Sequence, residues 1–364
     1  MSVLSYLSLL VPTPASLLLP GFGVDISDTS LKYIELISKD HQRQRYTIGK
    51  WGEVAIPSGV VQQGEIVDPG QLAKVLQEFK VHTGAEFIRV SLPEERAYIF
   101  ETSVKKQVGA AEVRSLLEFR LEENVPIPSR DVLFDYQVEE ADTKARSVGV
   151  VVAAYARDTI TKYHDACIAA GLVPTSFEVE AQAMARAVVP SDTVGATMMI
   201  DFGKTRTGVG IVVGGVLRYT STIDIGGTHL SAALRKVLGD KSESELTALK
   251  NTEGLVRRLD SLATHEALIP IISVIRDELL QRMRYWHSHN ELHPNRRITG
   301  AILCGGSANL KGLPEYCSEA LGIPTTRANV WANVLDFDEE IPSIDRYHSF
   351  GYATAIGLAL RKTI

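Results

Sequence analysis

One pattern occurs twice in this chain and restricts its fold more than any other feature. Near the start, GFGVDISDTSLKYIELI runs as an apolar strand ending in Asp25, a small polar turn and a second, alternating strand. Near the middle, TMMIDFGKTRTGVGIVVGGVLRYTSTIDIGG repeats the motif with Asp201, and a Gly-Gly turn adds a further strand. An apolar run closed by turn residues and followed by alternation reads as strand, turn, strand. Two such openings in 364 residues imply two related halves of α/β type.

The segments between the repeats have their own grammar. YTIGKWGEVAI continues the first set of strands up to Pro57. Asp68 followed by Pro69 is a helix start, and GQLAKVLQEFKVHTG has the spacing of an amphipathic helix. FIRVSL reads as a buried strand. AYIFETSV (strand), AAEVRSLLEFRLEENV (helix, stopped by Pro126 and Pro128), VLFDYQVEE and SVGVVVAAYA (strands) and ARDTITKYHDACIAAGL (helix ending at Gly171) follow. That order describes a compact α+β unit of the size of an insertion. After the second repeat comes a more polar helical stretch, roughly 228 to 290. ITGAILCGGSANLKGLPEYCSEALGIPTT then leads to a small-residue C-terminal helix in SFGYATAIGLALRKTI.

Composition narrows the classes. A hydrophobic fraction of 45% excludes disorder, and a net charge of −6 gives no global field for nucleic acid or an anionic membrane. Cys167, Cys304 and Cys317 form neither a disulfide framework nor a zinc pattern, which fits a reducing cytoplasm. The first 24 residues are uncharged and largely apolar, yet they lack the basic start of a secretory signal. Pro12, Pro14 and Pro20 interrupt the run, so residues 1–20 read as an apolar arm rather than a membrane span.

The chemistry lies in three segments. DISDTSLK (Asp25 to Lys32) and DFGKTRT (Asp201 to Thr207) are hairpin turns whose backbone N–H and hydroxyl groups can clamp a polyphosphate from two sides. Asp25 and Asp201, one at each strand end, are the candidate holders of a hydrated magnesium ion. GGSANLKG (Gly305 to Gly312) leaves room for a base and ribose. Each piece alone is ordinary turn chemistry or packing; their order and spacing make them specific.

With those segments in place, from about Gly21 to the C-terminus the chain resembles the actin-like ATPase superfamily, whose signature is two phosphate loops and an adenosine loop. Within it the chain is most similar to the PilM family of type IV pilus assembly, with FtsA as the next relative. DISDTSLKYIEL, DYQV (Asp135 to Val138), VVAAYARDTITKYHDACIAAGLVPTSFEVEAQAMARAV, ILCGGSANLKGLPEYCSEALGIP and YATAIGLAL carry the likeness. The fold it implies is actin-like α/β, with duplicated ribonuclease-H-like halves and an inserted strand–helix–strand–strand subdomain. Residues 21–95, 174–192 and 349–364 would form the first subdomain and 96–173 the insert. Residues 193–238 and 298–348 would form the second main subdomain, and 239–297 a helical or mixed one.

The resemblance implies ATP or ADP with Mg2+ held by Asp25, Ser27, Asp28, Thr29, Ser30, Lys32, Asp201, Gly203, Thr205, Thr207, Lys250, Gly305, Gly306 and Ser307. It also implies a cytoplasmic scaffold at the inner face of the membrane. Its groove, lined by parts of residues 84–104 and 150–180, would bind the N-terminal tail of a PilN-like inner-membrane protein, and self-assembly into rings or filaments is a further expectation. Contact with the membrane would be peripheral, through partners.

Three departures bear on nucleotide binding. The family usually reads Asp-Ile-Gly-Ser-Ser-Ser-x-Lys in the first loop. Here Ser27 adds a Cβ where backbone must approach phosphate, and Asp28 adds a negative charge there. Thr247 replaces the glutamate of the family's ribose-contacting Glu-x-x-Lys, at a cost of about 1–3 kcal/mol in binding. These mark the cleft as weak or degenerate, at most a slow ATPase.

Other candidates read more simply. His287, His289 and His293 have metal-like spacing but sit at a Pro-terminated helix end. Arg276, Arg282, Arg284, Arg296 and Arg297 read as a solvated face paired with Asp277 and Glu278. Glu180 reads as a helix-start residue. An FtsA-like anchor would need an amphipathic C-terminal helix, which the abrupt Arg-Lys-Thr-Ile ending does not supply. A small-molecule kinase would need a catalytic Asp base and substrate loops that no segment provides.

Overall fold

The computed structural model describes residues 21–40, 45–105, 109–139, 147–190, 192–291, 293–335, 337–338 and 340–361. The apolar arm expected over residues 1–20 lies outside the described residues.

The first repeat forms strands β1 (Phe22–Ile26), β2 (Ser30–Asp40) and β3 (Arg45–Ala55). A two-residue hairpin, β4 (Val61–Gln62) with β5 (Glu65–Ile66), leads into helix α1 (Pro69–Thr83). Its cap is as the sequence reads: the Asp68 carboxylate accepts the Gln71 N–H at 3.0 Å, and Gly84 ends the helix in the left-handed region. Strand β6 (Phe87–Leu92) follows, then β7 (Tyr98–Lys105), helix α2 (Ala110–Asn124), β8 (Val132–Val138) and β9 (Ser147–Ala156). Helix α3 (Arg157–Ala169), β10 (Val173–Val179) and α4 (Glu180–Val188) return the chain to the first sheet.

The second repeat gives β11 (Ala196–Phe202), β12 (Thr207–Val213) and β13 (Val216–Ile223), the last two joined at Gly214 and Gly215. The helical stretch divides into α5 (Gly227–Leu238), α6 (Glu243–Thr252) and α7 (Leu262–His289), broken near Gly239 and Gly254, both with positive φ. Strand β14 (Ile298–Cys304), α8 (Leu313–Leu321), β15 (Thr325–Arg327), the short α9 (Arg346–Ser349) and α10 (Ala353–Ala359) complete the chain.

The repeat is topological as well as sequential. One sheet has the order β10-β6-β1-β2-β3 and the other β15-β14-β11-β12-β13. In both, the opening strand pairs antiparallel with the next strand and parallel with a later one. In both, the Asp is the penultimate residue of that opening strand: Asp25 faces Lys32 across β1–β2, and Asp201 faces Gly208 across β11–β12. A third sheet, β7-β9-β8, stands apart and buries Val113, Leu117 and Leu121 of α2 in its own small core.

Helix α10 occupies the heart of the first half. Every residue of ATAIGLA is buried, against β1 and α4. The small residues are there because the neighbouring backbones come so close. A Cβ on Gly357 would sit 1.7 Å from the Ala183 carbonyl oxygen.

Candidate functional site

The matching registers bring the two hairpin turns and the Gly305 segment to one place. In the first turn, the Ser27 N–H donates to the Ser30 carbonyl at 3.0 Å. The Ser27 hydroxyl accepts the Ser30 N–H at 3.2 Å and the Thr29 N–H at 3.5 Å, and donates to the Ser30 carbonyl at 2.9 Å. Lys32 Nζ donates to the Ser30 hydroxyl at 2.9 Å and lies 3.6 Å from Glu53. In the second turn, the Gly203 N–H is shared between the Asp201 and Arg206 carbonyls, each at 3.0 Å. The Gly203 carbonyl accepts the Ser307 hydroxyl at 3.1 Å, which ties the second turn to the third segment. Gly305, at φ +80°, allows that contact, because a Cβ there would lie 2.4 Å from Asp201 Oδ1.

Not every expected group points inward. The Thr207 hydroxyl donates to the Ile225 carbonyl at 2.7 Å inside a fully buried side chain. Lys250 is buried with its Nζ on the Ser231 hydroxyl at 2.9 Å and 3.5 Å from Glu243. Its backbone carbonyl, rather than its ammonium, reaches the third segment, accepting the Lys311 N–H at 3.1 Å. Gly306 is exposed, and its carbonyl accepts from the Asn309 amide at 3.1 Å.

Asp25 and Asp201 converge beside Lys32. Each keeps some accessible surface, yet both carboxyls are walled in by protein. Burial raises the Asp25 pKa, with Lys32 and the Ser91 hydroxyl at 3.0 Å opposing. Burial, and after it the neighbouring Asp25, raise Asp201 to about 6. Glu94 and Glu180 join them. Burial pushes both well above the usual carboxylate range; Asp201 then adds most to the shift of Glu94, and Asp25 to that of Glu180. Glu180 does begin α4, as its sequence position suggests, and its carboxyl also feels the charges of Asp25, Glu94, Glu95 and Asp201.

The most prominent contact was not among the expected ones. Arg206, in the second turn, forms ion pairs with Asp28 of the first turn and with Glu95. Asp28 also accepts the backbone N–H groups of Gln63 and Gly64, each at 3.2 Å. Sequence reasoning singled out Asp28 but passed over Arg206, Glu94, Glu95 and Ser91. The available signal was Asp28 itself: a carboxylate in a phosphate-type turn needs a cation, and Arg206 is the arginine of the other turn.

A second feature lies where the three-stranded sheet meets the first half. A hollow of about 70 Å³ is lined by Glu65, Ile66, Arg96, Asp158, Lys162 and Tyr163, among others. Glu65 lies 3.3 Å from Arg96 and 3.5 Å from Lys162, and Lys162 is 2.8 Å from Asp158. The buried Tyr163 donates its hydroxyl to the Gly64 carbonyl at 3.1 Å.

The family described as type IV pilus assembly protein PilM matches residues 23–363. This chain belongs to the PilM family. Among solved structures, it is similar to a chain of a PilM–PilN type IV pilus biogenesis complex, at 20% identity and a TM-score of 0.75, covering 94% of this chain and 98% of that one. It is similar to the ethanolamine utilization protein EutJ from Carboxydothermus hydrogenoformans at 16% identity and a TM-score of 0.54, covering 96% and 90%. The MreB5 protein of Spiroplasma citri, solved bound to ADP, matches at 12% identity and a TM-score of 0.53, covering 93% and 94%. At these identities the likeness establishes the fold, which is actin-like.

For a PilM-family chain the next question is whether this cleft fits a magnesium-bound polyphosphate. Such a group needs open N–H donors and a neutral or cationic floor. Here the Ser27 hydroxyl takes two N–H groups of the first turn, and two carbonyls take the Gly203 N–H. Asp28 stands between the turns as an anion, already paired with Arg206. In this closed arrangement the residues do not fit the group. Among the described residues, no three His, Cys, Asp or Glu side chains are placed to hold a metal ion. Two of the three histidines make other contacts: His287 Nε2 accepts the Ile298 N–H at 3.2 Å, and the His289 ring lies 4.1 Å from that of Tyr285.

Proposed function

We propose that this chain is a cytoplasmic actin-like scaffold of type IV pilus assembly. It holds the N-terminal tail of a PilN-like inner-membrane protein in the groove beside Arg96 and Lys162, and its interdomain cleft binds nucleotide weakly or not at all. The observation that carries this reading is the hollow between β5, the Glu94–Arg96 turn and the start of α3. Its Arg96 and Asp158–Tyr163 walls fall inside the two stretches expected to line a peptide groove, and Glu65 and Ile66 supply a third side. At about 70 Å³ it is far smaller than the roughly 300–1,000 Å³ of a small-molecule pocket, but it suits one anchoring side chain of an extended segment.

The overall likeness to the protein in the PilM–PilN complex supports the same partner class. No helix among the described residues is long and apolar enough to cross a membrane, and this reading places the membrane contact in the partner. A nucleotide that did enter the cleft would meet Asp25 and Asp201 on its metal side and Gly305 to Ser307 on its base side.

The test is fluorescence polarisation with a labelled peptide of the PilN-like tail. Thr159→Trp, which fills the hollow, is expected to weaken binding by about 10-fold or more, equivalent to about 1.4 kcal/mol. Unchanged affinity in that variant would move the peptide site elsewhere.

A further inference from the structure

Arg206 lies in the second turn, on the second half of the molecule, and both its partners lie on the other side of the cleft. Asp28 is in the first turn, and Glu95 is in the Glu94–Arg96 turn that leads into β7. All three side chains are more than four-fifths removed from solvent, with 16% to 18% exposure. The same polarity recurs farther along the interface. Arg218, only 8% exposed, pairs with Glu101 at 3.3 Å and with Glu139. Arg296 pairs with Glu101 and lies 3.6 Å from Glu139. Every one of these arginines comes from the second half, and every carboxylate from the first half or the three-stranded sheet. Asp28 is held in place besides by the N–H groups of Gln63 and Gly64, so the guanidinium meets a fixed partner.

We propose that Arg206 is a built-in crosspiece, standing between the two turns where a polyphosphate would bridge them, so that the halves of this protein close without nucleotide. The guanidinium supplies the countercharge that a metal ion would bring, and Asp28 supplies the anion. Both therefore belong to the polypeptide and are present at all times. A ligand with phosphate groups must displace the Arg206–Asp28 pair before it can reach the turns. This inference extends the reading of a weak cleft and is independent of the peptide groove, which the polarisation experiment tests separately.

Hydrogen–deuterium exchange on the full chain decides it, read at residues 27–31 and 203–207. Arg206→Ala is expected to speed exchange at both turns by about 10- to 100-fold, because a desolvated carboxylate pair is left without its cation. Arg206→Lys should fall between, and adding ATP with magnesium should leave the wild-type turns unchanged. Wild-type exchange rates at the first turn in Arg206→Ala would overturn the proposal. Protection of the wild-type turns by ATP and magnesium would overturn it equally. Should Arg206→Ala also lose protection in β1 and β11, the Asp28→Asn, Glu95→Gln double variant, which removes charge but keeps shape, is judged by the same two criteria.

Discussion

Asp28 shows how one side chain redirects a loop. In an unmodified phosphate turn its position would present small polar groups to an anion; here the carboxylate is itself the anion, fixed by two backbone N–H groups and Arg206. Asp28→Ser removes that charge, and calorimetric titration with ATP and magnesium is expected to show affinity at least about 10-fold above wild type. Equal affinities would mean that Asp28 does not control entry. Asp201 gives a second prediction at this scale. Its pKa stands at about 6 in the folded protein, against an ordinary 3.8. A group with a raised folded pKa binds its proton more tightly when folded, so its contribution to stability is full below about pH 4 and is lost as pH rises through about 6. That loss is at most about 3 kcal/mol. Glu94 and Glu180 titrate in the same sense, and Lys32 opposes the shift of Asp201. Urea midpoints measured from pH 4 to 7 should therefore fall with rising pH in the wild type, and fall less steeply in Asp201→Asn. An unchanged slope would place the titration elsewhere.

At the scale of elements, helix α10 is the most demanding piece. Its glycine lies against the Ala183 carbonyl of α4, so Gly357→Val cannot be absorbed by a side-chain shift; backbone must move. Such overpacking costs about 3 kcal/mol. Gly70, in the first turn of α1, has only ordinary contact at 3.5 Å, so Gly70→Ala is the matched control and should be near neutral. Thermal unfolding of the two variants checks this, and equal midpoints would refute the packing argument. Among the elements legible in the sequence were those whose signal is local: β1 and β11 from apolar runs ending in Asp, β2 and β12 from alternation, and α1 from its Asp68-Pro69 start. Strand β10 was not, because VPTSFEV opens with a turn-like Val-Pro-Thr-Ser and becomes a strand only by pairing in parallel with β6. Helix α7 falls within the stretch read as helical, yet it runs unbroken through Pro270, which local rules treat as a stop.

For the whole molecule, the repeat means that two sheets of one topology carry their aspartates and turns in equivalent places. Between them Arg206, Arg218 and Arg296 of the second half meet carboxylates of the first half and the three-stranded sheet, beside an apolar contact in which Met199, Val212 and Leu217 join the first half's core. If the proposed crosspiece holds, closure is a property of the chain, and an assembly built on it would respond to a partner at the proposed groove more than to nucleotide level. The sequence by itself determined the duplication, the two turns with Asp25 and Asp201, and the PilM-family likeness, because those depend on residues close together in the chain. It also exposed Asp28 as the departure. Only the tertiary structure decided what Asp28 does. Arg206 lies 178 positions away in the sequence, Glu95 comes from a third segment, and Lys250 turns from the cleft towards Ser231. Such pairings are set by how two halves pack, and local sequence carries no term for a contact that exists only after both halves have folded.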